Sequence, residues 1–189
     1  YAIPITAVLL VEEADIVLYK AMINVIEEYL IISKTSLIKE NDDFKYVIYN
    51  NKAMILKYLG NAYDLIIPEK IDDYNVTYIN NNAFVGSSVR IVDLPKTIEK
   101  LGAWVFASSN LEVIIFRSLA VPNIKDSTFS YDEKLEIYVL KERLDNYKEN
   151  INFSKHLLFA YDEYVSSEGI LKYIIYDNQV IIKGHTNRS

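Results

Sequence analysis

The sequence predicts an α/β repeat solenoid: parallel strands stacked into one coil, an N-terminal helix, and β-hairpins on the flanks. Three observations carry this. Apolar residues recur at fixed offsets before three phenylalanines, a second apolar cluster recurs after each of them, and a hairpin pattern occurs twice.

The phenylalanine frame comes first. Phe84, Phe106 and Phe129 are 22 and 23 residues apart. Five residues before each stand Ile79, Leu101 and Ile124; eight before stand Val76, Ile98 and Val121. The residue just before each anchor is Ala83, Val105 or Thr128. A unit of about 20–25 residues cannot bury an apolar face alone, whereas stacked units can. The anchors are therefore expected inside the coil, superposed along its axis.

The second cluster supplies the strands. Its members are Val89 and Ile91, Leu111 and Val113, and Leu135 and Ile137, with proline closing the cluster at Ile67-Pro68 and Leu94-Pro95. Proline lacks an N–H and ends a ladder. Four parallel strands are expected near 64–67, 89–93, 111–115 and 135–139. Strict alternation along a strand turns those six residues inward. It turns Arg90, Val92, Glu112, Ile114, Glu136 and Tyr138 outward, as two ladders, Arg90–Glu112–Glu136 and Val92–Ile114–Tyr138. The second ladder is apolar, and contiguous apolar surface marks a contact, so these six residues form the candidate binding strip.

The hairpins frame the array. KYVIYNNKAMILKY (45–58) and KYIIYDNQVIIKGH (172–185) each place a two-residue polar turn, Asn50-Asn51 or Asp177-Asn178, between alternating apolar runs, which is a hairpin signature. The second resembles the start of another array. The expectation is a segment of a longer protein, or a protein whose second array has been lost; Tyr1 in place of Met fits a mature or shortened form. At the other end, Val11, Ala14, Leu18, Met22, Val25, Tyr29 and Ile32 share a stripe at helical spacing, with Thr6 as N-cap. This places a helix over about 7–31, as a cap on the coil. The divisions are 1–43 for helical cap and connection, 44–162 for the array, and 163–189 for the C-terminal hairpin.

Composition excludes several chemistries. The net charge of −6 argues against nucleic acid or an anionic membrane as partner, and no apolar run suits membrane insertion. With no cysteine there are no disulfides or thiol nucleophiles. His156 and His185, the only histidines, have no acid at metal-ligand spacing and read as ordinary surface or boundary residues. The acidic pairs Asp42-Asp43, Asp72-Asp73 and Asp132-Glu133 lack the acid-and-glycine alternation of a calcium loop. No G-x-S-x-G elbow occurs, and all 5 glycines are isolated. Trp104 reads as partly buried at the coil edge. No cofactor and no catalytic residue are expected.

DLPKTIEKLGAWVF resembles the repeat of the BspA-like leucine-rich family of bacterial surface proteins, approximately L-x-x-[IV]-x-[IL]-P-x-x-[VI]-x-x-I-G-x-x-A-F. LIIPEKIDDYNVTYINNNAF resembles a longer first repeat with a five-residue insertion. LEIYVLKERLDNYKENINF resembles the closing unit, a strand followed by a helix carrying Tyr and Lys. Departures are Ser118 at the third repeat's proline and Asn80 at the first repeat's glycine. The resemblance covers about residues 44–162. It implies a right-handed leucine-rich-repeat solenoid, a non-catalytic protein-interaction module binding a protein or other macromolecule, and an extracellular or cell-surface location of adhesin type. The alternatives are an accessory domain of a larger enzyme and a cytoplasmic scaffold.

Overall fold

The computed structural model describes residues 8–11, 30–33, 38–129, 135–165, 171–176 and 179–185. The strands in chain order are β1 (Val8–Val11), β2 (Leu30–Ser33), β3 (Lys39–Glu40), β4 (Phe44–Tyr49), β5 (Lys52–Tyr58), β6 (Asp64–Ile66), β7 (Lys70–Ile71) and β8 (Tyr74–Ile79). They continue with β9 (Ile91–Leu94), β10 (Lys100–Leu101), β11 (Val113–Phe116), β12 (Glu136–Leu140), β13 (Leu157–Val165), β14 (Leu171–Tyr176) and β15 (Gln179–His185).

Two sheets form the walls of the coil. One carries the order β10-β8-β5-β4-β3, and the other runs β6-β9-β11-β12-β13 and on through β14 to β15. From β6 to β13 every pairing of the second sheet is parallel; β6, β9, β11 and β12 lie near the four positions the repeat frame predicts, and β13 is a further strand. The opposite wall differs from an α/β repeat. It is made of β8, β10, a bridge from Lys100 to Asn123, and turns. Among the described residues helix is confined to a 3-10 turn at Lys141–Arg143 and to α1 (Leu144–Glu149). The array is a β-solenoid of about five turns.

The N-terminal helix is not seen where residues are described. Val8–Val11 and Leu30–Ser33 are strands paired in parallel, Val8 opposite Leu30; the rest of the expected helix, and its role as a cap, lie outside the described residues. Short apolar runs such as VLLV and LIIS fit a buried strand as well as a helix stripe, and here strand prevails.

The core is an aromatic column. Phe84, Phe106 and Phe129 are buried, with ring centroids 5.1 and 6.4 Å apart. Tyr58 and Phe44 extend the column at 5.0 and 5.7 Å, and Phe153 continues it 6.4 Å from Phe129. Such contacts add to burial energies of about 1.5–3 kcal/mol for each ring. Inside the closing unit Tyr147 is buried against Phe116 and Phe153. The Ser118 and Tyr147 hydroxyls share a hydrogen bond of 3.0 Å, and burial pushes the phenol pKa up to about 12.

Turn chemistry follows the sequence. Asn50 and Asn51 both have positive φ, 48° and 58°, as a two-residue hairpin turn matching the strand twist requires. Asp72 and Asp73 do the same between β7 and β8. Gly102 is needed for a different reason: a Cβ there would stand 2.5 Å from Asn81 N and 2.9 Å from Asn80 C, in the previous turn of the coil.

Candidate interaction face

The outer face of the parallel sheet depends on how each strand is entered. The Tyr63 carbonyl accepts from the N–H groups of both Arg90 (2.7 Å) and Ile91 (3.1 Å). One turn later the Arg90 carbonyl accepts from both Glu112 (2.8 Å) and Val113 (3.0 Å). Two residues thus oppose one, as in a bulge. Val89 and Val92, three apart, both point into the core, as do Leu111 and Ile114. In the closing unit the Glu112 carbonyl accepts from Glu136, and Leu135 and Ile137, two apart, are both buried.

This reverses part of the expected strip. Val92 and Ile114 are fully buried core residues in register with Ile137, so neither can be a surface contact. Ile91 and Val113, expected inward, lie half-buried on the outer face. The extra residue at Arg90 and Glu112 breaks the alternation, so inward positions fall three apart there. Tyr138 is on the outer face but buried, beside Ile115 and Tyr161. Its ring lies 5.3 Å from that of Phe159, and its hydroxyl donates to Glu136 Oε2 at 2.9 Å. Neither expected ladder survives whole. Arg90 and Glu112 remain neighbours, while Glu136 falls in register with Val113 and Tyr138 with Ile115.

Two rows result. The first reads Asp64, Ile91, Val113, Glu136, Leu157; the second reads Ile66, Asp93, Ile115, Tyr138, Phe159. Tyr161 closes the second row by donating its hydroxyl to the Phe116 carbonyl at 3.1 Å. The accessible apolar groups are Ile66 and Leu157, 51% and 47% exposed, with Ile91, Val113 and Phe159 half-buried. The signal that would have shown this is the L-x-x-[IV] spacing of the repeat itself, which places the two inward residues three apart.

Charges edge these rows. Arg90 Nε and Nη2 donate to the two oxygens of Glu112 at 3.2 and 2.7 Å, and both side chains are exposed. Those bonds hold the Glu112 carboxyl below its usual range. Arg117 grips Asp93 in the same bidentate way, but here Asp93 is buried. In register Arg117, not Ser118, takes the place of Pro95, because Leu94 lies opposite Phe116.

The remaining candidates play structural parts. Asp72 accepts from Lys39 Nζ at 2.6 Å and from the Tyr46 hydroxyl at 3.0 Å, and its carboxyl is held low by those bonds. The Asn41 side chain receives the N–H groups of Asp43 and Phe44 in the turn before β4. Asp132 and Glu133 lie outside the described residues. His156 packs edge-on against Phe129 at 5.3 Å, and burial lowers its pKa. Trp104 is 41% exposed and sits at φ 56° in a turn. Among the described residues no three His, Asp or Glu gather as a metal site, and no helix is long and apolar enough to cross a membrane.

The chain is similar to a leucine rich cell surface protein from Faecalibacterium prausnitzii, 20% identical over 57% of this chain and 28% of that one, TM-score 0.39. It is similar to a leucine rich repeat protein of T. pallidum, 20% identical over 54% of this chain and 60% of that one, TM-score 0.41. A leucine-rich repeat protein from Bacteroides capillosus is 17% identical, over 53% of this chain and 96% of that one, with a TM-score of 0.37. This chain thus spans less than two thirds of the length of each of the first two. No curated protein matches it. Six copies of the BspA type leucine rich repeat region match residues 60–176, most of the sequence, and the chain belongs to that family.

Proposed function

We propose that the protein is a non-catalytic interaction scaffold, exposed at the bacterial surface, that binds a macromolecular partner, in first instance a protein, along the outer face of its parallel sheet. The observation that carries the reading is the row Ile91, Val113, Glu136, Leu157, aliphatic but for one carboxylate, beside the exposed Ile66 and edged by the Arg90–Glu112 pair. Partly exposed aliphatic side chains rimmed by charge make the composition of a protein contact. The rigid stack of strands holds them in a line, so little ordering entropy opposes binding. Family membership supports the scaffold role, and the surface location rests on the family resemblance.

The test is a double substitution, Val113→Glu with Leu157→Ala, assayed by calorimetry against a partner isolated on the immobilised protein. Affinity should fall at least tenfold, about 1.4 kcal/mol, while the unfolding midpoint stays near that of the parent. Unchanged affinity would move the site off this face.

A further inference from the structure

The two hairpins are the same object built twice. In β4–β5 the partners run Phe44–Tyr58 and Lys45–Lys57; after an irregularity between Lys45 and Tyr46 they run from Tyr46–Ile55 to Tyr49–Lys52. In β14–β15 they run Leu171–His185 and Lys172–Gly184; after an irregularity between Lys172 and Tyr173 they run from Tyr173–Ile182 to Tyr176–Gln179. Each residue of the second hairpin follows its counterpart by the same offset, 172 − 45 = 127, irregularity included.

The likeness extends upstream of both. β2 begins at Leu30 and β13 at Leu157, again 127 apart. β2 lies parallel to β1 as β13 lies parallel to β12, with Leu30 opposite Val8 and Leu157 opposite Glu136. An antiparallel strand precedes each hairpin: β3 pairs with β4, and the end of β13 pairs with β14. Between the parallel partners the sequence repeats Tyr-Lys, at Tyr19-Lys20 and Tyr147-Lys148, 11 residues after Val8 and Glu136. Local strand propensity explains a hairpin. It does not explain a shared irregularity at the same residue pair together with the same neighbours, since bulges are specific features of a ladder.

We propose that the chain is built on a unit of about 127 residues, made of a hairpin, an array and a closing strand, and that β15 docks the first strand of a further array of this repeat type, edge-on and in parallel. The first unit shows the docking. β5 pairs in parallel with β8: Lys52 with Asn75, Ala53 with Val76, Met54 with Tyr78 and Ile55 with Ile79. Transposed by 127, the receiving residues are Gln179, Val180, Ile181 and Ile182. The occupant is a strand with the pattern of Tyr74–Ile79, whose Val76 and Ile79 are buried in the core. Among the described residues β15 ends its sheet, and a strand of this composition at an edge is a template for further pairing. The β8 of a second copy cannot serve, because β5 and β10 already hold both its edges. The occupant is therefore a strand from an additional array.

The experiment extends the full chain by a duplicate of residues 59–165 placed after His185, the counterpart of Tyr58. Amide exchange across β15 should slow at least tenfold relative to the unextended chain, with the duplicate itself protected. In the first unit the Asn80 N–H donates to the Ile55 carbonyl at 2.8 Å; replacing the duplicate's counterpart of Asn80 by proline, which has no N–H to offer, should return β15 to the unextended rate. A duplicate that folds while β15 exchanges unchanged overturns the docking. A duplicate that fails to fold overturns it equally, since the same residues fold when they follow β5. Concentration-dependent protection of β15 in the unextended chain would make the occupant a second copy, and would also overturn it.

Discussion

Arg117 holds Asp93 through two parallel hydrogen bonds, Nε to Oδ1 at 2.8 Å and Nη2 to Oδ2 at 2.6 Å, across neighbouring rungs of the sheet. The side chains are only 4% and 17% exposed for Asp93 and Arg117. Removing one partner strands the other charge in a poorly hydrated place. Arg117→Met should cost about 3–5 kcal/mol in urea unfolding, and the double variant with Asp93→Leu should recover most of that. A single-variant cost below about 1 kcal/mol would put the pair in the class of surface ion pairs.

Adjacent residues should respond oppositely to the same change. Ile114 is in the core and Val113 is on the outer face. Ile114→Glu should destabilise by about 4 kcal/mol or more, whereas Val113→Glu should leave a cooperative transition close to that of the parent. Equal losses would show that the extra residue at Glu112 does not set the orientation.

The aromatic column and its tight turn are each testable by one substitution. Phe106→Ala removes a ring stacked between Phe84 and Phe129 and should cost about 3–5 kcal/mol. Gly102→Ala pushes a methyl group against the Asn81 backbone and should cost about 1–3 kcal/mol. If Gly102→Ala proved neutral, the turns would be packed less closely than described.

His156 gives the fold a pH dependence whose sign is defined. Its pKa is lowered in the folded state, first by burial and then by Lys155, with Asp126 opposing. Nε2 is buried without a hydrogen-bond partner. The unfolded chain takes up the proton near the ordinary value of about 6.5, and the folded chain only at lower pH. The neutral ring's contribution is thus complete above about pH 6.5 and is lost as pH falls towards the folded value. His156→Phe keeps a ring against Phe129 but does not titrate. The parent should lose stability relative to this variant between pH 8 and pH 5, read from urea midpoints. A relative gain would mean that Asp126 governs the site.

The array was legible because its signals are local. Phe84, Phe106 and Phe129 recur at a near-constant interval, Pro95 follows its strand directly, and Pro68 follows its strand after Ile67. The expected strip was half legible: of the residues read as outward, Arg90, Glu112 and Glu136 lie on the outer side, while Val92 and Ile114 are buried in the core. The difference arises in hydrogen bonding. Whether one carbonyl takes one N–H or two is decided by the neighbouring turn, and each doubling shifts every later side chain to the other face. Near the N-terminus VLLV and LIIS carry apolar character without a period long enough to separate strand from helix.

By itself, then, the sequence determined the repeat interval, the three phenylalanines of the aromatic column, the proline stops and the Asn50-Asn51 hairpin turn, because each follows from side-chain type at a fixed spacing; the Asp177-Asn178 turn lies outside the described residues. Only the tertiary structure decided which strand residues face out, that Arg117 takes the place of a proline and reaches back to Asp93, and that the wall opposite the parallel sheet is strand and turn rather than helix. Those outcomes depend on which backbone carbonyl meets which N–H one turn of the coil away, a long-range relation that no residue states alone.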